Sequence, residues 1–171
     1  NTRLVDQWLQ MGRAQNMDEF EDAMGILGIP WVNTIAADRF GEAYYADVGA
    51  MPNVSDDKLS DCSGSPITNL LIGLDLPALD GSRADCEWGN TADTPDGILG
   101  YDEMPVLRNN TYTANANDTF WLSNPATPLE GFSPVLGPER YEQSLRTRQT
   151  FAQAEARIAG TDGLGEAGFT L

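Results

Sequence analysis

The chain has 171 residues, 41% of them hydrophobic, enough for one domain with a buried core and too apolar for a disordered segment. Twenty-six acidic residues against ten Lys and Arg leave a net charge of −16, a surface that repels phosphate backbones, so nucleic acid is not an expected partner. Histidine is absent, which excludes a Ser-His-Asp or Cys-His catalytic set and a His-ligated zinc site built from this chain alone.

The first 27 residues read as helix. Leu4, Trp8 and Met11 recur at helical spacing, and Asn16 with Glu19 forms a capping box for a second short helix. Phe20 and Met24 give that helix an apolar side, and Gly28 before Pro30 ends it. Trp8 and Trp31 are either core residues or the rigid aromatic wall of a ligand pocket. The stretch from Trp31 to Ala36 is rich in strand formers. It is followed by the turn Asp38-Arg39-Phe40-Gly41 and by Glu42 to Val48, a pattern that predicts a β-hairpin. Pro52 stops the second strand because proline cannot continue a ladder.

From Asn53 to about Asn109 the sequence is irregular, with an apolar island from Ile67 to Leu76 that suggests a short helix. A loop this long needs a function or a staple. Cys62 and Cys86 are too few for a thiolate zinc site, and their polar, turn-rich setting favours a disulfide over free buried thiols. A bridge closing ~25 residues stabilises by roughly 3 kcal/mol in the chain-entropy account. Asp93, Asp96, Asp102 and Glu103 faintly suggest a calcium loop. The alternating Asp/Asn ladder is missing, so a solvated loop is the better reading. Three N-x-S/T triplets, at Asn53, Asn109 and Asn117, matter only in a glycosylating host.

Thr111-Tyr112-Thr113 reads as a strand leading into Asn115-Ala116-Asn117-Asp118-Thr119-Phe120-Trp121-Leu122-Ser123-Asn124-Pro125. Side-chain amides are neutral hydrogen-bond donors, suited to stabilising a developing oxyanion when held at a strand end. The plainer reading is a polar loop whose Asn residues form turns. Pro138 fits the first turn of a last helix. Tyr141, Leu145 and Ala152 lie near one face of that helix, flanked by Phe151 and Ile158, and Gly160 ends it. Such a helix is expected to pack on a sheet. Arg140 at its start opposes the helix dipole, so it is a surface residue unless something nearby needs the charge. The element order predicts an α+β fold. No apolar run is long enough for a membrane span and no basic-then-apolar leader opens the chain.

The helix carrying Trp8, then GIPWVNTIAADRFGEAYYADVGAMP, TANANDTFWLSNPATPLEGFSP and GPERYEQSLRTRQ, occur in an order that resembles the β-chain of the penicillin acylase family of N-terminal-nucleophile hydrolases. The similarity runs from about Trp8 to about Ile158 and is nearest the branch with acyl-homoserine-lactone and aculeacin-type acylases. The resemblance implies a four-layer αββα sandwich. It also implies a precursor (zymogen) that cleaves itself to free a Ser, whose amino group is the base for its own hydroxyl. An Asn side chain and a backbone N–H then form the oxyanion hole. Asn117 matches that Asn, with Asn115 beside it, and Arg140 matches an Arg that orients the site. Trp31 and Val32, and less closely Trp8, match acyl-pocket wall residues.

The chain begins with Asn1 and shows no nucleophile segment, so residues 1–171 are expected to be an internal portion of such a β-chain, inactive alone, with a disulfide-stapled insertion at about 53–109. The expected activity is removal of an acyl chain from an acyl-homoserine lactone (quorum quenching), or from a related N-acyl compound such as the antibiotic penicillin or a lipopeptide. Its partners are that small substrate and the remaining α- and β-chain segments. No cofactor is expected, although the family leaves room for a structural calcium, and the location implied is periplasmic or secreted. The rival expectation is a non-catalytic, acidic extracellular binding module, disulfide-stapled, with or without calcium.

Overall fold

The computed structural model describes residues 2–30, 32–74 and 76–169. Two helices open the chain, α1 (Arg3–Met11) and α2 (Met17–Met24), packed on each other. The Asn16 side chain accepts from the Glu19 N–H at 2.9 Å and so caps α2. The Glu19 carboxylate reaches back to the Gln15 N–H at 2.9 Å, one residue before the position expected for a capping box. α2 stops at Gly25. Gly28 has a different duty from the one expected, because it meets the backbone of α1. A Cβ there would lie 2.4 Å from the Arg3 carbonyl carbon. Gln7, which is fully buried, ties this contact by accepting from the Gly28 and Ile29 N–H groups at 2.7 and 3.1 Å. Trp8 is instead more than half exposed, so its helical spacing does not mark it as core.

The hairpin forms as β1 (Thr34–Ala37) and β2 (Ala43–Ala46), antiparallel, with Tyr45 opposite Ile35 and Tyr44 opposite Ala36. Its turn is held by the Asp38 carboxylate, which accepts from the Phe40 and Glu42 N–H groups at 2.9 and 3.0 Å. Gly41 there has φ of +95°, open to glycine at no steric cost. A third strand, β3 (Val106–Asn109), pairs with β2 and makes it the central strand. β3 was not expected: its four residues alternate too briefly to stand out beside the polar stretch before them.

The stretch 53–109 therefore holds more structure than its composition suggests. Besides β3 it contains α3 (Asp56–Asp61) and α4 (Pro66–Ile72), each capped at its start by a serine hydroxyl. Cys62 and Cys86 are bonded, their Cα atoms 5.7 Å apart. Met17, Met24, Tyr44, Ala46, Met104 and Phe120 belong to one buried cluster, and Phe20 meets Tyr44 edge to face at 5.8 Å. Arg108 on β3 lies above it and pairs with Asp18, Glu21 and Glu42 at 2.6, 3.1 and 2.6 Å, joining α2 to the sheet.

Two further expectations are corrected. Thr111–Thr113 is not a strand; Thr113 only donates its hydroxyl to the Tyr44 carbonyl at 3.3 Å. The last helix, α5 (Leu145–Ala159), starts seven residues after Pro138 with Ser144 as its cap, so neither Pro138 nor Arg140 lies in it. It ends at Gly160 in the left-handed conformation, as its composition suggested. Phe151 is buried, while Leu145 and Ile158 are exposed. α5 does not close on the sheet. A cavity of about 970 Å³ lies between Ile35, Ala37 and Ala43 on one side and Ala152 and Ala156 on the other. The observed architecture is a mixed α/β domain with a three-stranded antiparallel sheet.

Candidate functional site

Residues 115–119 form a turn whose polar groups are almost all engaged. The Asn115 side chain accepts from the Asn117 N–H at 2.8 Å and donates to the carbonyls of Asp118 and Thr119 at 3.0 and 3.4 Å. This is an Asx turn closed at both ends, the local competitor to a strand that short polar side chains offer the backbone. It forces Asn117 to φ of +66°, a left-handed conformation that Asn tolerates better than most residues. The Asn117 side chain is exposed and has no hydrogen-bond partner among the described residues.

The turn is fastened to the segment before α5. The Asp118 carboxylate accepts from the Ser144 N–H at 2.8 Å. The Thr147 hydroxyl and that N–H hold its pKa below the usual carboxylate value, as befits an acid at a helix N-terminus. The Thr119 N–H donates to the Tyr141 hydroxyl at 3.0 Å, and its own hydroxyl donates to the Pro138 carbonyl at 2.8 Å. Phe120, fully buried, anchors the far side of the turn by an edge contact to Phe132 at 5.4 Å. Asn124, the third amide, is buried and structural: it donates to the Tyr112 carbonyl at 2.9 Å and accepts from the Ala126 N–H at 2.8 Å.

Arg140 sits in coil at φ of +55° and its charge is engaged by Glu130, through contacts of 3.0 and 2.5 Å. The same carboxylate accepts from the Trp121 indole N–H at 3.0 Å. Arg140 and then Trp121 pull the Glu130 carboxyl down to about 2. Among the described residues no hydrogen bond links Arg140 to Asn117. Its connection to the turn runs through Glu130 and Trp121, and Glu130 was not singled out in the sequence. The string N-P-x-x-P-L-E-G contains no spacing that marks that acid as a partner of an arginine ten residues later.

The expected pocket wall is less well gathered. Trp31 lies outside the described residues. Val32 is half-buried, and its neighbour Asn33 accepts a hydrogen bond from the Tyr45 hydroxyl. Trp8, on α1, makes no hydrogen bond or ring contact to the turn among the described residues. Neither Val32 nor Trp8 lines the large cavity between sheet and α5, whose lining includes Thr111–Ala114, the residues before Asn115. Asp47, just past the end of β2, has its carboxyl pushed up to about 6 by burial. Among the described residues no group of three or more acids, thiols or imidazoles converges as a bound metal requires. In the acidic stretch expected to resemble a calcium loop, the Glu103 carboxylate is occupied by the Gly100 N–H at 2.7 Å and by the Thr91 hydroxyl.

Comparison with known proteins gives this geometry a setting. The family model described as penicillin amidase matches residues 1–162. Aculeacin-A acylase of Actinoplanes utahensis is 43% identical over 99% of this chain and 22% of its own length. Acyl-homoserine lactone acylase PvdQ of Pseudomonas savastanoi pv. phaseolicola is 39% identical over 89% of the chain and 19% of its own. The same-named protein of Pseudomonas putida is 36% identical over 96% of the chain and 21% of its own. The chain thus spans about a fifth of the length of the curated relatives it matches.

Proposed function

This chain belongs to the penicillin amidase family, and from that premise we propose that the complete protein is an acylase hydrolysing the amide between an acyl chain and an amine. The nucleophile and the backbone half of the oxyanion hole come from segments beyond these residues. Together they build the αββα sandwich to which this sheet and α5 contribute. A serine attacks the amide carbonyl, its own amino group taking the proton, and the former carbonyl oxygen becomes negative. The Asn117 amide donates a hydrogen bond to that oxyanion. Arg140 acts at a distance, holding Trp121 and the turn through Glu130. Val32, with Trp31 and Trp8, borders the acyl chain.

The observation that carries this reading is the contrast between neighbouring amides. Asn115 spends both ends of its side chain on the turn, while Asn117 presents an unengaged donor on backbone that is tied down on either side. A donor that needs no reorganisation is what transition-state stabilisation requires. The favoured substrate is an N-acyl-homoserine lactone, with a lipopeptide or penicillin as the alternative. Two of the relatives act, by name, on such a lactone, and a net charge of −16 suits a neutral lactone better than the carboxylate of penicillin. The disulfide supports an oxidising, periplasmic or secreted location, and no described helix is long and apolar enough to cross a membrane.

Steady-state kinetics of the complete enzyme on an acyl-homoserine lactone test the assignment. Asn117→Ala should lower kcat by roughly 100- to 1,000-fold with KM little changed and a modest drop in melting temperature, since Ala tolerates the left-handed backbone less well than Asn. Asn115→Ala should lower the melting temperature as well, because it unties the turn. If Asn115→Ala is crippling and Asn117→Ala mild, the donor is Asn115. If both are mild, the turn is structural and the mechanism lies elsewhere.

A further inference from the structure

Tyr45 is fully buried on central strand β2, yet it carries a hydroxyl that must find a partner. Its cross-strand neighbours are Ile35 and Leu107, so strand alternation sends it to the face opposite Tyr44 and α2. On that face its hydroxyl donates to the Asn33 side-chain oxygen. Asn33 follows Val32 directly, and the partner is therefore the segment proposed as the acyl-chain wall. The segment leading into the Asn turn lies on that same face, where Thr111–Ala114 line one cavity with Ile35, Ala37 and Ala43. Thr113 docks on the Tyr44 carbonyl at 3.3 Å, two residues before Asn115. Burial drives the Tyr45 phenol far above its usual pKa, with the Asp47 carboxylate adding to the rise. The Asn115 amide beside the hydroxyl works in the opposite sense. The phenol thus stays protonated and donates to Asn33.

We propose that Tyr45 is a positioning residue that fixes the Val32–Asn33 segment against the Asn115–Asn117 turn, setting the distance between acyl-chain wall and oxyanion donor. This rests on the acylase reading and extends it to a residue that touches no substrate. The register of an acyl chain against the wall decides where its amide carbonyl falls. A shift of the wall relative to Asn117 therefore alters both chain-length preference and turnover. An ordinary buried tyrosine would affect stability alone.

The test uses the complete enzyme and a series of N-acyl-homoserine lactones of increasing chain length. Tyr45→Phe keeps the ring and its packing while removing the hydroxyl, and Asn33→Ala removes the same hydrogen bond from its exposed end. Each should lower kcat by roughly 10- to 100-fold, the cost of a misplacement of about an ångström, and move the optimum chain length. The double variant should lose no more than the worse single one, since both break one bond. Unchanged kcat and chain-length profile in a folded Tyr45→Phe enzyme, or losses that multiply in the double variant, would overturn the tether. A wild-type enzyme that cleaves no N-acyl substrate would overturn the acylase reading, and the tether with it.

Discussion

Among the described residues, 53–104 and 115–144 add no strand to the sheet, yet the two stretches are fastened by different means. The first stretch is closed by the Cys62–Cys86 bond, around which Lys58 donates to the Glu87 carbonyl at 2.6 Å and Arg83 to the Asp61 carbonyl at 2.9 Å. The second has no covalent closure and relies on Asn115, Asp118, Thr119, Glu130 and Tyr141, each matched to a specific group. A covalent clamp needs two residues and tolerates polar filler between them. A web of side-chain hydrogen bonds needs every partner in place, and what it offers in return is a rigid backbone.

That contrast can be broken from both sides. The largest effect on stability should come from Cys62→Ser with Cys86→Ser. Opening the loop should cost about 3 kcal/mol and lower the denaturation midpoint, while kcat of the folded enzyme stays at the wild-type value. A drop in kcat at full folding would show that the stapled stretch shapes the site. The mirror experiment is Glu130→Gln, which leaves the carboxamide nearly the same shape but removes the charge that Arg140 and Trp121 share. It should lower kcat by about 10-fold with a smaller change in melting temperature, as expected when preorganisation and not packing is lost. Equal kcat would leave Arg140 and Glu130 as a surface pair of the kind that contributes little.

The effect at Asp47 is legible only against pH. Its folded-state pKa of about 6 lies above the ordinary 3.8. The stability linked to its protonated form is therefore fully present below about pH 4 and lost as pH rises through about 6. Asp47→Asn should be as stable as the wild type at about pH 4 and more stable than it at about pH 7, by up to about 3 kcal/mol for a rise from 3.8 to about 6. A wild-type-to-variant difference that is flat across that range would mean that Asp47 titrates as an ordinary carboxyl.

Much of this was readable in the chain. Asn16 before Glu19, the turn Asp38–Gly41 and Gly160 all act through contacts within a few residues, and local chemistry determines such features. The two cysteines and the NANDTFWLSNP string were also legible, because residue type alone narrows what they can do. By contrast, β3 was hidden because four residues become a strand only when β2 lies beside them. Thr111–Thr113 looked like a strand and is not one, since the Asn109 side chain accepts from the Thr111 N–H and Asn124 donates to the Tyr112 carbonyl, taking backbone groups that a ladder would have used. Trp8 kept its helical spacing but not its burial, while the polar Gln7 took the inward place because two N–H groups at Gly28 and Ile29 needed an acceptor.

The sequence by itself therefore determined the α+β class, the hairpin, the staple and the short list of amides. Which amide is free was decided only by tertiary structure. Asn115 and Asn117 have identical side chains two residues apart, and composition cannot separate them. The distinction arises because Asp118 is drawn to the start of α5 and Thr119 to Tyr141 and Pro138. Those long-range bonds hold the turn in the one shape that engages the first amide and leaves the second exposed.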